Sequence, residues 1–224
     1  MNSTLNENFM SLCNYIGSGN ISSKIWFVGI EEGGEAISEK DLDEQLSKCQ
    51  EEHKYFNDAS SKTPVWGIIA DLLYDKYLDK HKLGKKEYRQ NMFNENYSYF
   101  FLAELFPLPK PNTSSWSEDY NKIFGYSKND FYQYLSDVRS FRYPIIYKKW
   151  MEIKPSLTIC FGSSYWNEFI NLFKLGHSRF INLPGSGLIK YPDENIILTP
   201  FFDYRRIKSE DRMTLKQIVN DISV

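Results

Sequence analysis

Apolar residues gather in four short runs, set apart by longer stretches with helical spacing. The first run, KIWFVGI at 24–30, ends abruptly in Glu31, Glu32, Gly33 and Gly34. Similar runs lie at 97–106, 157–161 and 195–200. Each is rich in β-branched and aromatic residues and closes on glycine, proline or polar residues, which predicts buried strands. Residues 64–78, PVWGIIADLLYDKYL, carry Pro64 near a start and apolar positions at helical spacing, which predicts a buried helix. Helices are also expected at 129–151, 164–173 and about 209–222. Residues 1–22 read as a short amphipathic lead-in helix and a Gly/Ser/Asn turn. Residues 37–52 read as an exposed helix with apolar positions at Ile37, Leu42 and Leu46. The basic 81–90 stretch reads as loop, 112–127 as a polar excursion, and 180–183 as a short edge strand before a PGSG turn.

Strands alternating with helices predict an α/β fold. We expect three layers, α/β/α, around a central, mostly parallel four-stranded sheet, built as one domain over residues 1–224. Right-handed crossovers then bring the loops after Ile30, Phe106, Phe161 and Leu198 to one rim. In open α/β sheets ligands bind at that rim, beyond the carboxyl ends of the strands. The loop after the first strand is the most telling. Its glycines let backbone approach a ligand closely, and its carboxylates supply charge.

Composition narrows the classes. The chain has 224 residues, 42% hydrophobic, enough for a sizeable core. Aromatic residues reach 17%, which serves either core packing or a surface on which bases and sugars stack. A net charge of −2 argues against a protein that coats nucleic acid, while leaving room for one local basic face. Cys13, Cys49 and Cys160 form no metal-binding spacing, and an odd count suits thiols in a reducing cytoplasm. The polar start, MNSTLNENFM, lacks a signal-peptide pattern. No stretch approaches the roughly 20 apolar residues of a membrane span, so no membrane partner is expected. His53, His81 and His177 read as surface residues.

Taken in order, the rim motifs resemble the uracil-DNA glycosylase superfamily. That family's first motif takes forms such as G-x-N-P-G, G-x-D-P-Y or G-E-x-P-G, and the matching run here is Gly29, Ile30, Glu31, Glu32, Gly33. PVWGIIADLL resembles the helix that follows. FFLAELFPLPKP takes the place of the second strand and its Pro-rich turn. ICFGSSYWNEF, with Ser163 facing the substrate, resembles the strand-Gly-helix element. IILTPFF sits where the final H-P-S motif belongs. The likeness spans 24–206.

It implies a monofunctional DNA glycosylase that flips a base and uses water as nucleophile, with no metal or organic cofactor. Glu31 falls on the carboxylate or amide position. There it would hold water and offset the charge of an oxocarbenium-like transition state. Glu32 replaces the family proline, as a second acid or a solvated neighbour. Glu104 stands where uracil-reading members often place Asn. A carboxylate only accepts, so it suits the exocyclic amine of cytosine and suits uracil poorly. Thr199 replaces the family histidine and can donate one hydrogen bond to the leaving base. Tyr55, Phe56 and Trp66 are candidates to stack on the base, Phe56 foremost. Arg205 and Arg206 follow the last strand, where the family inserts a loop into DNA. The basic face Arg139, Arg142, Lys148 and Lys149 would add phosphate contacts. The substrate ranked first is glucosylated 5-hydroxymethylcytosine in phage DNA, excised by a cytoplasmic monomer to leave an abasic site. Uracil or deaminated bases come second. A non-catalytic nucleic-acid or nucleotide binder and a nucleoside-processing enzyme stand as the other classes.

Overall fold

A computed structural model describes residues 6–33, 36–50, 53–55, 63–112 and 114–223. The described elements form one mixed eight-stranded sheet with eight α-helices packed on it.

The chain enters through α1 (Glu7–Asn14), whose first amides are capped by the Asn6 side chain, accepting from Asn8 and Phe9. The Gly/Ser/Asn stretch expected as a turn contains strand β1 (Gly17–Gly19), and β2 (Ile25–Gly33) follows. Then come α2 (Leu42–Lys48), β3 (His53–Lys54), α3 (Pro64–His81) and α4 (Lys85–Asn91). The last of these occupies the stretch expected as loop. Its Tyr88 is buried against Tyr74 and His81, so one well-packed ring anchors an otherwise polar helix.

Strand β4 (Phe101–Lys110) runs straight through PLPK, where a turn was expected. Its pairing with β2 slips between Glu31 and Gly33, opposite Phe106 and Lys110 respectively. The slip accommodates Pro107 and Pro109, which have no amide to offer a neighbouring strand. Helices α5 (Asp119–Phe124) and α6 (Phe131–Ile153) lead to β5 (Leu157–Phe161). A 3-10 turn at Ser163–Tyr165 opens α7 (Trp166–Leu172). The short β6 (Ile181–Asn182) and β7 (Ile189–Tyr191), then β8 (Ile196–Thr199) and α8 (Ser209–Asp221), complete the chain.

Strand order is β3-β1-β4-β2-β5-β8-β7-β6. The four strands read from sequence are the central four, β4-β2-β5-β8, and they are mutually parallel. The expectation of a four-stranded sheet is corrected by the short outer strands. β1 and β7 pair antiparallel to the centre, and β3 and β6 extend them. β6 falls within the 180–183 stretch read as a short edge strand; β1, β3 and β7, of two or three residues, carry too little alternation to register as strands in the sequence.

Alternation along β2 divides the core. Trp26, Val28 and Ile30 belong to the core shared with α1, α5, α6 and α7, while Ile25 and Phe27 belong to that shared with α3, α4 and α8. After β2 the chain first packs Ile37 and α2 beside α1, then passes through β3 to α3 and α4 on the other face, whereas the connections after β4 and β5 stay on the α1 face. In open α/β sheets the carboxyl ends of central parallel strands are where ligands bind.

Candidate functional site

Glu31 reaches the rim at the end of β2, inside the core-bearing part of the strand. Its side chain is only 6% exposed, and Lys110, at the end of β4, is 1% exposed. The two form an ion pair, with Nζ 2.9 Å from Oε2. The ammonium also lies 5.6–5.9 Å from the ring centres of Phe106, Trp116 and Phe131, within reach of their π faces. Burial raises the Glu31 carboxyl above its ordinary value, and the charge and hydrogen bond of Lys110 oppose that rise. The phenols of Tyr134, Tyr165 and Tyr120 are raised chiefly by burial, with the Glu31 charge adding to it. They remain neutral hydroxyls.

Glu104 stands opposite Gly29 in the β2–β4 register. Its carboxylate lies flat against the Gly29 backbone. A Cβ at Gly29 would come within 2.2 Å of Glu104 Oε2 and 2.9 Å of Phe161 Cζ. Glycine at this position is thus required by a close cross-strand approach. Phe161 stacks on Phe202 at 4.5 Å between ring centres and belongs to the α3/α4/α8 core. The rings around Lys110 belong to the opposite core or pack against it. Glu31 and Glu104 therefore project toward different faces of the same rim. The two-residue spacing 29–31, matched by 104–106, would put both on one face of a regular strand; the proline-bearing irregularity in β4 lies next to the break.

Gly162 follows β5 with φ +133°, and a Cβ there would meet Ile30 Cδ1 at 2.5 Å. Its amide donates to the Thr199 carbonyl at 3.0 Å, as does Trp166 Nε1 at 3.1 Å. These contacts lock the ends of β5 and β8 together. The Thr199 hydroxyl is buried and donates to the Pro200 carbonyl at 2.6 Å. Its single proton is already committed, so donation to a base would require that bond to break. Ser163 is exposed at the start of the 3-10 turn.

Trp66 sits in the first turn of α3, half-buried, with its ring 5.3 Å from Phe93. Phe56 lies outside the described residues, as does the Glu32 side chain, and Gly33 ends β2. Tyr55 is half-buried beside His53. Arg205 and Arg206 occupy the loop after β8, on the rim. Arg205 is exposed and clasped to Asp203 at 3.0 Å. This clasp holds the Asp203 carboxyl down at about 2. The guanidinium of Arg206 lies 5.9 Å from the Phe201 ring.

The basic face expected on α6 dissolves. Arg142 is fully buried and donates five hydrogen bonds to the carbonyls of Leu12, Cys13, Tyr15 and Glu104. It closes the last turn of α1 and fixes β4 beside the site, so it is a structural residue. Arg139 makes a two-pronged ion pair with Glu168. Lys148 and Lys149 face Glu152 at 4.0 and 3.3 Å. They lie near the end of α6 that leads into the start of β5, at the opposite end of the sheet from Glu31. They do not share a surface with the rim arginines.

A surface hollow of about 580 Å³ opens at that same far end, lined by Trp150, Lys154, Lys174 and Asp193 among others. It is remote from the rim carboxylates, and position in the fold favours the rim as the seat of chemistry. His81 proves buried rather than superficial, stacked on Tyr88 at 4.3 Å with Nε2 3.1 Å from the Tyr74 carbonyl. Among the described residues no cluster of three His, Cys, Asp or Glu could hold a metal ion, and no helix is long and apolar enough to cross a membrane.

The sequence pattern singles out Glu31 and Glu104 and gives Lys110 no such prominence. That lysine sits within PLPKP, which looks like a turn; its one signal is a lone cation flanked by prolines beside a strongly apolar strand. No protein-family model matches the chain, and no curated protein does either.

Proposed function

We propose that the chain is a monofunctional DNA glycosylase with the architecture of the uracil-DNA glycosylase superfamily, acting on a flipped modified cytosine. The observation that carries the reading is a carboxylate, Glu31, buried at the carboxyl end of a central parallel strand. A second, Glu104, lies on the neighbouring strand, against a glycine. Cleavage of an N-glycosidic bond builds positive charge on the sugar. An anion in a water-poor setting stabilises that charge far better than one in bulk water. Glu31 would face the anomeric carbon and orient the attacking water, taking its proton as the C–O bond forms. The electrons of the breaking bond leave with the base, which is then protonated. Glu104 would accept from the exocyclic amine of the base. Arg205 and Arg206, on the same rim, would hold phosphates. The aromatic-rich rim suits a base carrying a sugar, which ranks glucosylated 5-hydroxymethylcytosine first.

The test is abasic-site formation on plain DNA, uracil-containing DNA and phage DNA bearing glucosylated hydroxymethylcytosine. Release from the glucosylated DNA alone is the expected result. Uracil release would overturn the role given to Glu104. A second reading, a non-catalytic nucleic-acid binder, draws on the committed Thr199 proton and the closely paired Glu31. It predicts binding that persists in Glu31→Gln without base release from any of the three DNAs.

A further inference from the structure

The proposed reaction needs Glu31 ionised, yet its surroundings disfavour charge. The carboxylate is felt electrostatically by Tyr120 from α5, Tyr134 from α6 and Tyr165 from the turn after β5, none of which carries a compensating positive charge. Arg142, which interacts electrostatically with Tyr134, has its donors directed at backbone carbonyls. The compensating cation is Lys110. Its ammonium is buried and 2.9 Å from the carboxylate, and it is flanked by Phe106, Trp116 and Phe131. The stem that places it there is the extension of β4 through Pro107 and Pro109, with Lys110 in register with Gly33 of the Glu31 strand. Prolines stiffen that extension, so the ammonium is presented at one position rather than searching for it.

We infer that Lys110 is a positioning residue: it aims the Glu31 carboxylate at the rim and keeps it ionised for the reaction proposed above. Lys110 touches the carboxylate and not the reacting bond, so its removal slows the reaction by changing the state and direction of Glu31. This inference rests on the glycosylase reading for its purpose, while the hold of Lys110 on Glu31 is measurable without any activity.

Two readouts separate these. The first is titration of the Glu31 carboxyl by carbon-13 NMR in the intact protein, its resonance assigned by its loss in Glu31→Gln. Lys110→Met should move the midpoint up by about one pH unit or more, and Lys110→Arg should return it close to the wild-type value. The second is the pH–rate profile of base release on the responsive DNA. Its acidic limb should move up in Lys110→Met by the same amount as the titration, so that raising the pH rescues the rate. Circular dichroism and a urea melt establish that each variant is folded. A folded Lys110→Met with an unmoved Glu31 titration would overturn the inference. So would a rate loss that raised pH does not recover, which would mark a structural role. If the NMR shift appears and wild type releases no base from any DNA, the pairing stands and the glycosylase reading falls. If Lys110→Met does not fold, Lys110→Arg and Lys110→Gln carry the same measurement, an unmoved titration in Lys110→Gln again overturning the inference.

Discussion

Two buried cations in this molecule do different work. Arg142 spends its donors on five hydrogen bonds to backbone carbonyls, tying α1, β4 and α6 into one unit. Lys110 is buried as deeply, and its ammonium pairs with one carboxylate oxygen at the rim. A cation saturated by backbone is part of the scaffold. A cation paired with one carboxylate at the end of a parallel strand instead sets the charge state of that carboxylate. Burial alone does not distinguish them; the identity of the partners does.

The contrast is broken most forcefully at Arg142. Arg142→Met leaves several buried carbonyls without a donor, each costing about 1–3 kcal/mol. We expect a loss on the order of 4 kcal/mol in a urea melt. If stability fell by less than about 1 kcal/mol, the carbonyls would have found other donors and the scaffold role would fail. Gly29→Ala comes next. The added methyl pushes on the Glu104 carboxylate, the far end of a movable side chain, so the fold should survive with a loss of about 1–3 kcal/mol. Base release should fall more than that stability loss explains, because Glu104 would be displaced from its place over the strand. An unchanged rate and base preference would remove Glu104 from the site.

The smallest effects concern the surface. Arg205→Ala with Arg206→Ala should lower DNA affinity and reduce the salt dependence of binding by about 2 in the log–log slope. Lys148→Ala with Lys149→Ala should change neither, since these lysines face Glu152 at the far end of the sheet. Equal effects of the two pairs would mean that DNA contacts a surface other than the rim.

Much of the scaffold was legible in the chain. Four apolar runs of strand length gave the parallel centre of the sheet, and Glu31 stood out because acids and glycines interrupt the strongest run. Of the outer strands only β6 was legible, as the short edge strand at 180–183; β1, β3 and β7 were not, since two or three residues cannot display a period. Arg142 and Lys110 failed for opposite reasons. Arg142 sits in a helix among other basic residues and reads as surface charge, while its partners, the α1 carbonyls, are more than 120 residues away in sequence. Lys110 follows prolines that signal a turn, and only the pairing with β2 turns that stretch into a strand pointing the lysine at Glu31. Long-range pairing, invisible in local pattern, decided both.

The most direct test of the account is single-turnover base release by wild type and Glu31→Gln on DNA bearing glucosylated hydroxymethylcytosine. Glutamine keeps the shape and can still accept from Lys110, so folding should persist while the anion is lost. The account predicts release by wild type and a loss of about 10²–10³-fold in the variant. A folded Glu31→Gln that releases the base at the wild-type rate would contradict it.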